Sequence, residues 1–426
     1  MLESITGKRV FAPSFMLNKL LMGSKSTFTR FGAMGTTHSA PPGLRTLRRK
    51  SARRRASSFN DSRELSQVQF SQHIHLVSVR GFSTCSLLTS FRAAEDRDHR
   101  LAAFISSLRP QTLRYFQTFR DVGASVETFL ALSSHNESLK DLRLCLSNES
   151  LEHLSLLREC TSLETLRLED TSGSTDLEKT QHDVFLEVIQ WLRNCKNLRD
   201  LTMTRFLSAA ALVTPVLLED SIQLRRLELD SYVAKDHQLF HEALGHQASS
   251  LRVLSLSGET DEMFRDDLDI LENALGSLTR LKELKLLLPE VLSEGLYQSI
   301  LAHLKDLQEL YITGLVLTDA VLPSVANLSN LRSVTFNGIS CFTKDGLLSF
   351  VSQLGPGNSG LRIMIDMADP DQRLSDEDVA LVRSVVESRV DGIFEYTLFR
   401  GRRAPLCSRP KQAHSSCWRL VIASLL

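Results

Sequence analysis

One phrase governs what this 426-residue chain can fold into. Between Ser250 and Gly258 the sequence reads S-L-R-V-L-S-L-S-G, and Leu251, Leu254 and Leu256 stand at the offsets L-x-x-L-x-L. The same offsets return at Leu139/Leu142/Leu144, Leu163/Leu166/Leu168, Leu198/Leu201/Met203 and Leu224/Leu227/Leu229. They return again at Leu281/Leu284/Leu286 and Leu307/Leu310/Ile312, with looser outer copies at Leu113/Phe116 and Leu331/Val334/Phe336. Successive first leucines are separated by 26, 24, 35, 26, 27, 30, 26 and 24 residues.

The last two apolar positions are two apart, so on a strand they share a side while the residues between them face the other way. One copy cannot bury its own leucines. Stacked copies can, and the leucines then form a continuous ladder. Leucines three apart would also suit a helix face. Nine copies in one register, most preceded by Ser, Thr, Asn or Asp, instead fit a strand-forming repeat. These are leucine-rich repeats. The expected fold is an α/β solenoid, a horseshoe with short parallel strands on its concave face and helices on its convex face.

Helical periodicity fills the intervals. Val184, Phe185, Val188 and Leu192 share one helical face in the longest interval. Leu268, Leu271 and Leu275 repeat the pattern, as do Leu296, Ile300, Leu301 and Leu304. Upstream, residues 73–81 alternate closely enough for a first strand, and Arg100–Leu108 reads as a short helix. Downstream, Leu361–Met367 reads as a strand. Ser375, followed by Asp376, Glu377 and Asp378, then caps a helix over Ser375–Val390 that would cover the open end of the ladder. The domain plan is a basic, Ser-rich, disordered tail over residues 1–71, a solenoid with terminal caps over 72–395, and a basic, disordered tail over 396–426.

Formal charge balances over the whole chain but is sharply segregated. Residues 1–60 carry a net +11 and residues 400–426 a net +6, leaving −17 on residues 61–399. An acidic solenoid argues against nucleic acid and for protein partners. Seven scattered cysteines with no C-x-x-C spacing read as reduced intracellular thiols. No apolar run is long enough to span a bilayer, so no membrane partner is expected. The basic cluster Arg48–Ser58 fits three readings: a plain solvated tail, a nuclear-localisation patch, or part of an Arg/Ser-rich mitochondrial presequence. The expected compartment is the cytoplasm or nucleus, with the mitochondrion as the alternative.

Motifs that would carry chemistry are weak. Gly355–Gly360 matches G-x-G-x-x-G, yet a dinucleotide site needs its glycines between a strand and a following helix. Here a helical stretch precedes and a strand follows, so helix termination and a turn account for them. His241-Glu242-Ala243-Leu244-Gly245-His246 is one residue too long for H-E-x-x-H, and the added step of ~100° turns His246 away from His241. His237 and His241 stand at i and i+4 but supply only two ligands; an exposed polar helix face is the alternative. No nucleophile elbow, P-loop or kinase pattern appears. The expectation is a binder, not an enzyme, with no catalytic residue, cofactor or metal.

What remains is the strand face turned away from the leucines, where polar positions alternate with the ladder. Arg and Tyr concentrate binding energy at protein interfaces. The candidate protein-binding residues on this concave face are therefore Tyr115, Arg143, Arg167, Arg226, Lys285 and Tyr311.

The phrases L-R-Y-F-Q-T-F, S-L-K-D-L-R-L, S-L-E-T-L-R-L and N-L-R-D-L-T-M, with their irregular repeat length, resemble those of eukaryotic, fungal F-box/leucine-rich-repeat proteins of the ribonuclease-inhibitor-like class. The resemblance spans residues 72–395. It implies a substrate receptor of an SCF-type ubiquitin ligase, in which an N-terminal F-box grips the adaptor of a cullin-type ligase and the horseshoe selects the substrate. Residues 1–71 contain no L-P-x-E-[LI]-x-x-x-[IL] opening, so the F-box itself is not found. A leucine-rich-repeat scaffold or inhibitor unrelated to ubiquitin is the alternative, and in both readings the bound protein is unidentified.

Overall fold

The computed structural model describes residues 90–93, 98–119, 124–173, 175–231, 237–258, 265–288 and 293–399. The N-terminal tail and the strand expected over 73–81 lie outside the described residues, as do residues 400–426.

The strands are β1 (Ser90–Ala93), β2 (Tyr115–Thr118), β3 (Asp141–Leu146), β4 (Thr165–Asp170), β5 (Asp200–Thr204) and β6 (Arg226–Asp230). They continue as β7 (Val253–Ser257), β8 (Glu283–Leu287), β9 (Glu309–Leu317), β10 (Ser333–Ser340), β11 (Arg362–Ala368) and β12 (Ile393–Leu398). All twelve form one parallel sheet in the order of the sequence. The fold is a leucine-rich-repeat solenoid, with an open sheet on one side and helices on the other.

Register follows the repeated phrase. Phe116, Leu142, Leu166, Leu201 and Leu227 are successive partners across β2 to β6. Leu254, Leu284, Leu310 and Val334 continue the row across β7 to β10. Every member is at most 2% exposed. Burying one such side chain is worth roughly 1.5–3 kcal/mol, and each does so only against its neighbours in the stack. Hydrogen bonding also extends one residue ahead of the strands. Arg225 N–H donates to the Arg199 carbonyl (2.7 Å), Arg252 to Arg225 (2.8 Å) and Lys282 to Arg252 (2.8 Å).

Interval length decides what packs behind the sheet. The 35-residue step from Leu163 to Leu198 holds two helices, Leu177–Thr180 and His182–Asn194. The longer one buries Phe185, Val188, Trp191 and Leu192, and the Trp191 indole donates to the Cys160 carbonyl at 3.1 Å. The 24-residue step before it has room only for Asn148–Leu151 and a 3-10 turn at Leu154–Leu157.

The expected short helix is Asp98–Ser107. The expected end-covering helix is Asp376–Val390, with the Ser375 hydroxyl accepting the Asp378 N–H at 3.0 Å. It does not end the ladder. β12 follows and pairs with β11, with Phe394 in the leucine row and Tyr396 next in line. No L-x-x-L-x-L phrase marks β12, or β1 at the other end, so the pattern did not disclose either strand. Gly355–Gly360 is indeed a turn. Its Asn358 is buried and donates to the Leu328 and Leu331 carbonyls at 2.8 and 3.2 Å.

Candidate protein-binding face

In β2 to β11 the first four residues alternate outward and buried, so the first and third positions share the face opposite the helices. All six candidate residues occupy these positions: Tyr115, Arg143, Arg167, Arg226, Lys285 and Tyr311. The sheet gathers them into separate groups.

The first group lies on β2 to β4. The Arg143 guanidinium sits 5.4 Å from the Tyr115 ring centroid and grips Asp141 with two bonds of 2.9 Å. The Tyr115 hydroxyl bonds the Gln117 side chain. Arg167 is the Cα partner of Arg143 on the next strand; it is exposed and forms no hydrogen bond or ion pair with another described residue. Its fork is therefore open to a ligand.

The second group lies on β6 to β9. Val253 and Ser255 are short, whereas Arg226 and Glu228 on one side and Glu283 and Lys285 on the other are long. The result is a depression of about 230 Å³ over β7, bounded further along by Glu309 and Tyr311. Arg226 bonds Glu228 at 2.7 Å and lies 3.7 Å from Glu283. The Lys285 ammonium stands 5.2 Å from the Tyr311 ring centroid, and the Tyr311 hydroxyl accepts from the Asn337 amide. The groups are five strand steps apart between β3 and β8, about 24 Å at the usual spacing. A single molecule touching both groups would have to span that distance.

Electrostatics make the depression more acidic than the candidate residues suggest. Burial pushes the Glu283 carboxyl above its ordinary value; Arg226 opposes this, while Glu309 and Glu228 add to it. Burial likewise pushes Asp200 up against the pull of Arg226 and Arg225. Burial raises the Tyr311 phenol, with its Asn337 hydrogen bond working the other way. Crowded carboxylates that resist ionisation favour an incoming cation or hydrogen-bond donor. Glu228, Glu283 and Glu309 were legible as face positions, but a preference for Arg and Tyr left them out of the candidate set.

The histidine reading is corrected by burial. His241 lies inside the helix Gln238–His246 with its side chain fully buried, not on an exposed polar face. His246 ends that helix in solvent. Among the described residues no three His, Cys, Asp or Glu side chains are grouped to hold a metal. No helix among them is long and apolar enough to cross a membrane.

No protein-family model matches the sequence, and comparison with curated proteins finds no match. Among solved structures the chain matches one described as the crystal structure of a Rad7 and Elc1 complex in yeast. That match has 14% identity and a TM-score of 0.40, covering 72% of this chain and 82% of the other.

Proposed function

We propose that this chain is a protein-binding module, not an enzyme, that holds its partner on the sheet face. The depression over Val253 and Ser255 carries the reading. Its Arg226, Glu283, Lys285 and Tyr311 project from strands whose folding depends on the opposite, leucine-bearing face. Side chains there can be spent on recognition without loss of the core. Resemblance of the repeats to F-box/leucine-rich-repeat proteins supports the finer role of substrate receptor for an SCF-type ubiquitin ligase. A scaffold or inhibitor outside ubiquitin chemistry would use the same face. The described Cys160, Cys195 and Cys341 form no disulfide with one another, which fits a reducing cytoplasm or nucleus.

Affinity purification of the full chain tests both levels. Arg143→Ala, Arg167→Ala and Tyr311→Ala should each reduce partner recovery with unchanged melting temperature, by ~2 kcal/mol or roughly thirtyfold in affinity for a central anchor. Glu187→Ala, exposed on the helix His182–Asn194, should leave recovery alone. Intact recovery with all three face variants would refute the sheet-face reading. A cullin or its adaptor among the partners supports the ligase role, and other partners alone would favour the scaffold.

A further inference from the structure

A second surface lies along the edge where the strands begin. The residue after each first leucine stands one position ahead of its strand, and in four successive repeats it is a cation: Arg199, Arg225, Arg252 and Lys282. Backbone hydrogen bonds of 2.7–2.8 Å link each to the next. Their Cα atoms therefore follow the strand spacing of about 4.8 Å. With Gln223, Ser249 and Ser250 they line a cleft of about 410 Å³.

None of these cations forms an ion pair among the described residues. Several other cations of the chain are paired. In the same row Lys140 is bridged to Glu164, and on the sheet face Arg143 takes Asp141 and Arg226 takes Glu228. Arg225 acts on the Asp200 carboxyl through space but does not bond it. The unpaired row runs through a module that carries a net −17 over residues 61–399, so it is a local exception to the surrounding field.

Two of the arginines are also held in place. Arg199 donates through Nη1 to the Gln223 carbonyl at 3.1 Å. Arg252 uses Nη1 on the Ser249 and Leu251 carbonyls at 3.3 and 3.2 Å. A guanidinium has five N–H groups, so most of each fork stays available.

We infer that this edge binds a carboxylate-rich segment of a partner protein, laid in extended form across the four repeats. The cations are strung out one per repeat, not converged on a point, which suits single charges along a chain better than the doubled charge of one phosphate group. At about 3.3 Å per residue, five or six extended residues span the row. The lining has no aromatic side chain on which a nucleobase could stack and no apolar floor of the kind small-molecule sites use. The inference stands apart from the sheet-face proposal, because none of the six face candidates lines the cleft.

The test uses the full chain and a fluorescent hexaglutamate peptide, with binding read by anisotropy at low salt. Arg225→Glu with Arg252→Glu should weaken binding by roughly tenfold or more, since reversing two row charges turns attraction into repulsion. Arg158→Glu with Lys179→Glu, the same charge change at other exposed positions, should alter it by less than about twofold. Melting temperature checks folding. If the reversed pair melts early, Arg225→Gln with Lys282→Gln replaces it, with a loss of roughly threefold or more expected. Affinity that survives these changes overturns the inference, because the basic termini would then be holding the probe. Tighter binding of a singly phosphorylated serine hexapeptide through the same arginines also overturns it, in favour of a focused phosphate site. Tyr311→Ala must leave hexaglutamate binding unchanged, so failure here and failure of the sheet-face proposal are read separately.

Discussion

Single buried polar side chains hold the turns that feed the strands. Gln247 accepts the Leu224 N–H at 3.0 Å and donates to the Leu217 and Ile222 carbonyls at 2.8 and 3.1 Å. These are backbone groups that water cannot reach, and leaving them unmet would cost about 1–3 kcal/mol each. His135 plays a similar part, its Nδ1 accepting from the Leu113 N–H at 3.3 Å. His241 is the titratable extreme. Burial, with His237 adding to it and Asp267 opposing, pushes its imidazole from 6.5 down to about 4. A depressed histidine is neutral in the fold, so its contribution is intact above pH 6.5 and is lost as pH falls toward 4. The full chain should lose about 2 kcal/mol more stability between pH 7 and pH 5 than a His241→Gln variant does, by urea unfolding at the two pH values. Equal losses would place His241 outside the acid response. The thiols of Cys160 and Cys195, both pushed up by burial to about 12, should stay inert over the same range.

At the scale of elements, the sheet changes character near its C-terminal end. β9 and β10 run for nine and eight residues, against five in β5 to β8. Their extension passes through Gly314 and Gly338, which are register partners. A Cβ on Gly338 would meet the Gly314 carbonyl oxygen at 2.3 Å, so the two backbones approach closer than any side chain allows. Tyr297, fully buried on the helix Glu294–Leu301, anchors the same stretch by donating to the Thr313 carbonyl at 2.9 Å. Gly338→Ala should therefore cost about 1–3 kcal/mol in denaturant unfolding and should loosen amide protection along β9 and β10 first. An unchanged midpoint would mean the strands can separate locally without penalty.

Across the whole described solenoid, each repeat touches mainly its neighbours, and stability is distributed along one dimension. Leu254→Ala removes a fully buried rung between Leu227 and Leu284 and should cost about 2–5 kcal/mol. Hydrogen exchange should show that cost concentrated in β6 to β8 and fading toward β2 and β11. A uniform loss over every strand would indicate a single cooperative unit instead. The same linear construction separates charge. Glu228, Glu283 and Glu309 crowd the sheet face, while Arg199, Arg225, Arg252 and Lys282 occupy the edge beside it. Surfaces of opposite sign can coexist because each repeat position projects in its own fixed direction.

The sequence alone determined the ladder. L-x-x-L-x-L at nine sites specifies which residues are buried and which side each strand turns outward, because strand alternation admits only one register once the leucines must stack. It also placed Tyr115, Arg143, Arg167, Arg226, Lys285 and Tyr311 on one face. It could not say that Arg143 would be spent on Asp141 while Arg167 stays open, or that short Val253 and Ser255 would leave a depression between longer neighbours. The Arg143–Asp141 pair is two residues apart on one strand, but alternation alone does not choose that rotamer, and the depression depends on residues 25 to 30 positions away in sequence and one strand away in space. The basic row was written in the phrase as the Lys or Arg after the first leucine, yet its meaning arises only when stacking aligns four repeats and supplies no acid among them. β1 and β12 were hidden for the complementary reason: β1 is added by backbone pairing with β2, and Phe394 and Tyr396 join the rows of β11, without any phrase of their own. Periodicity is local and can be read from the chain. The partner of a side chain is decided by the stack.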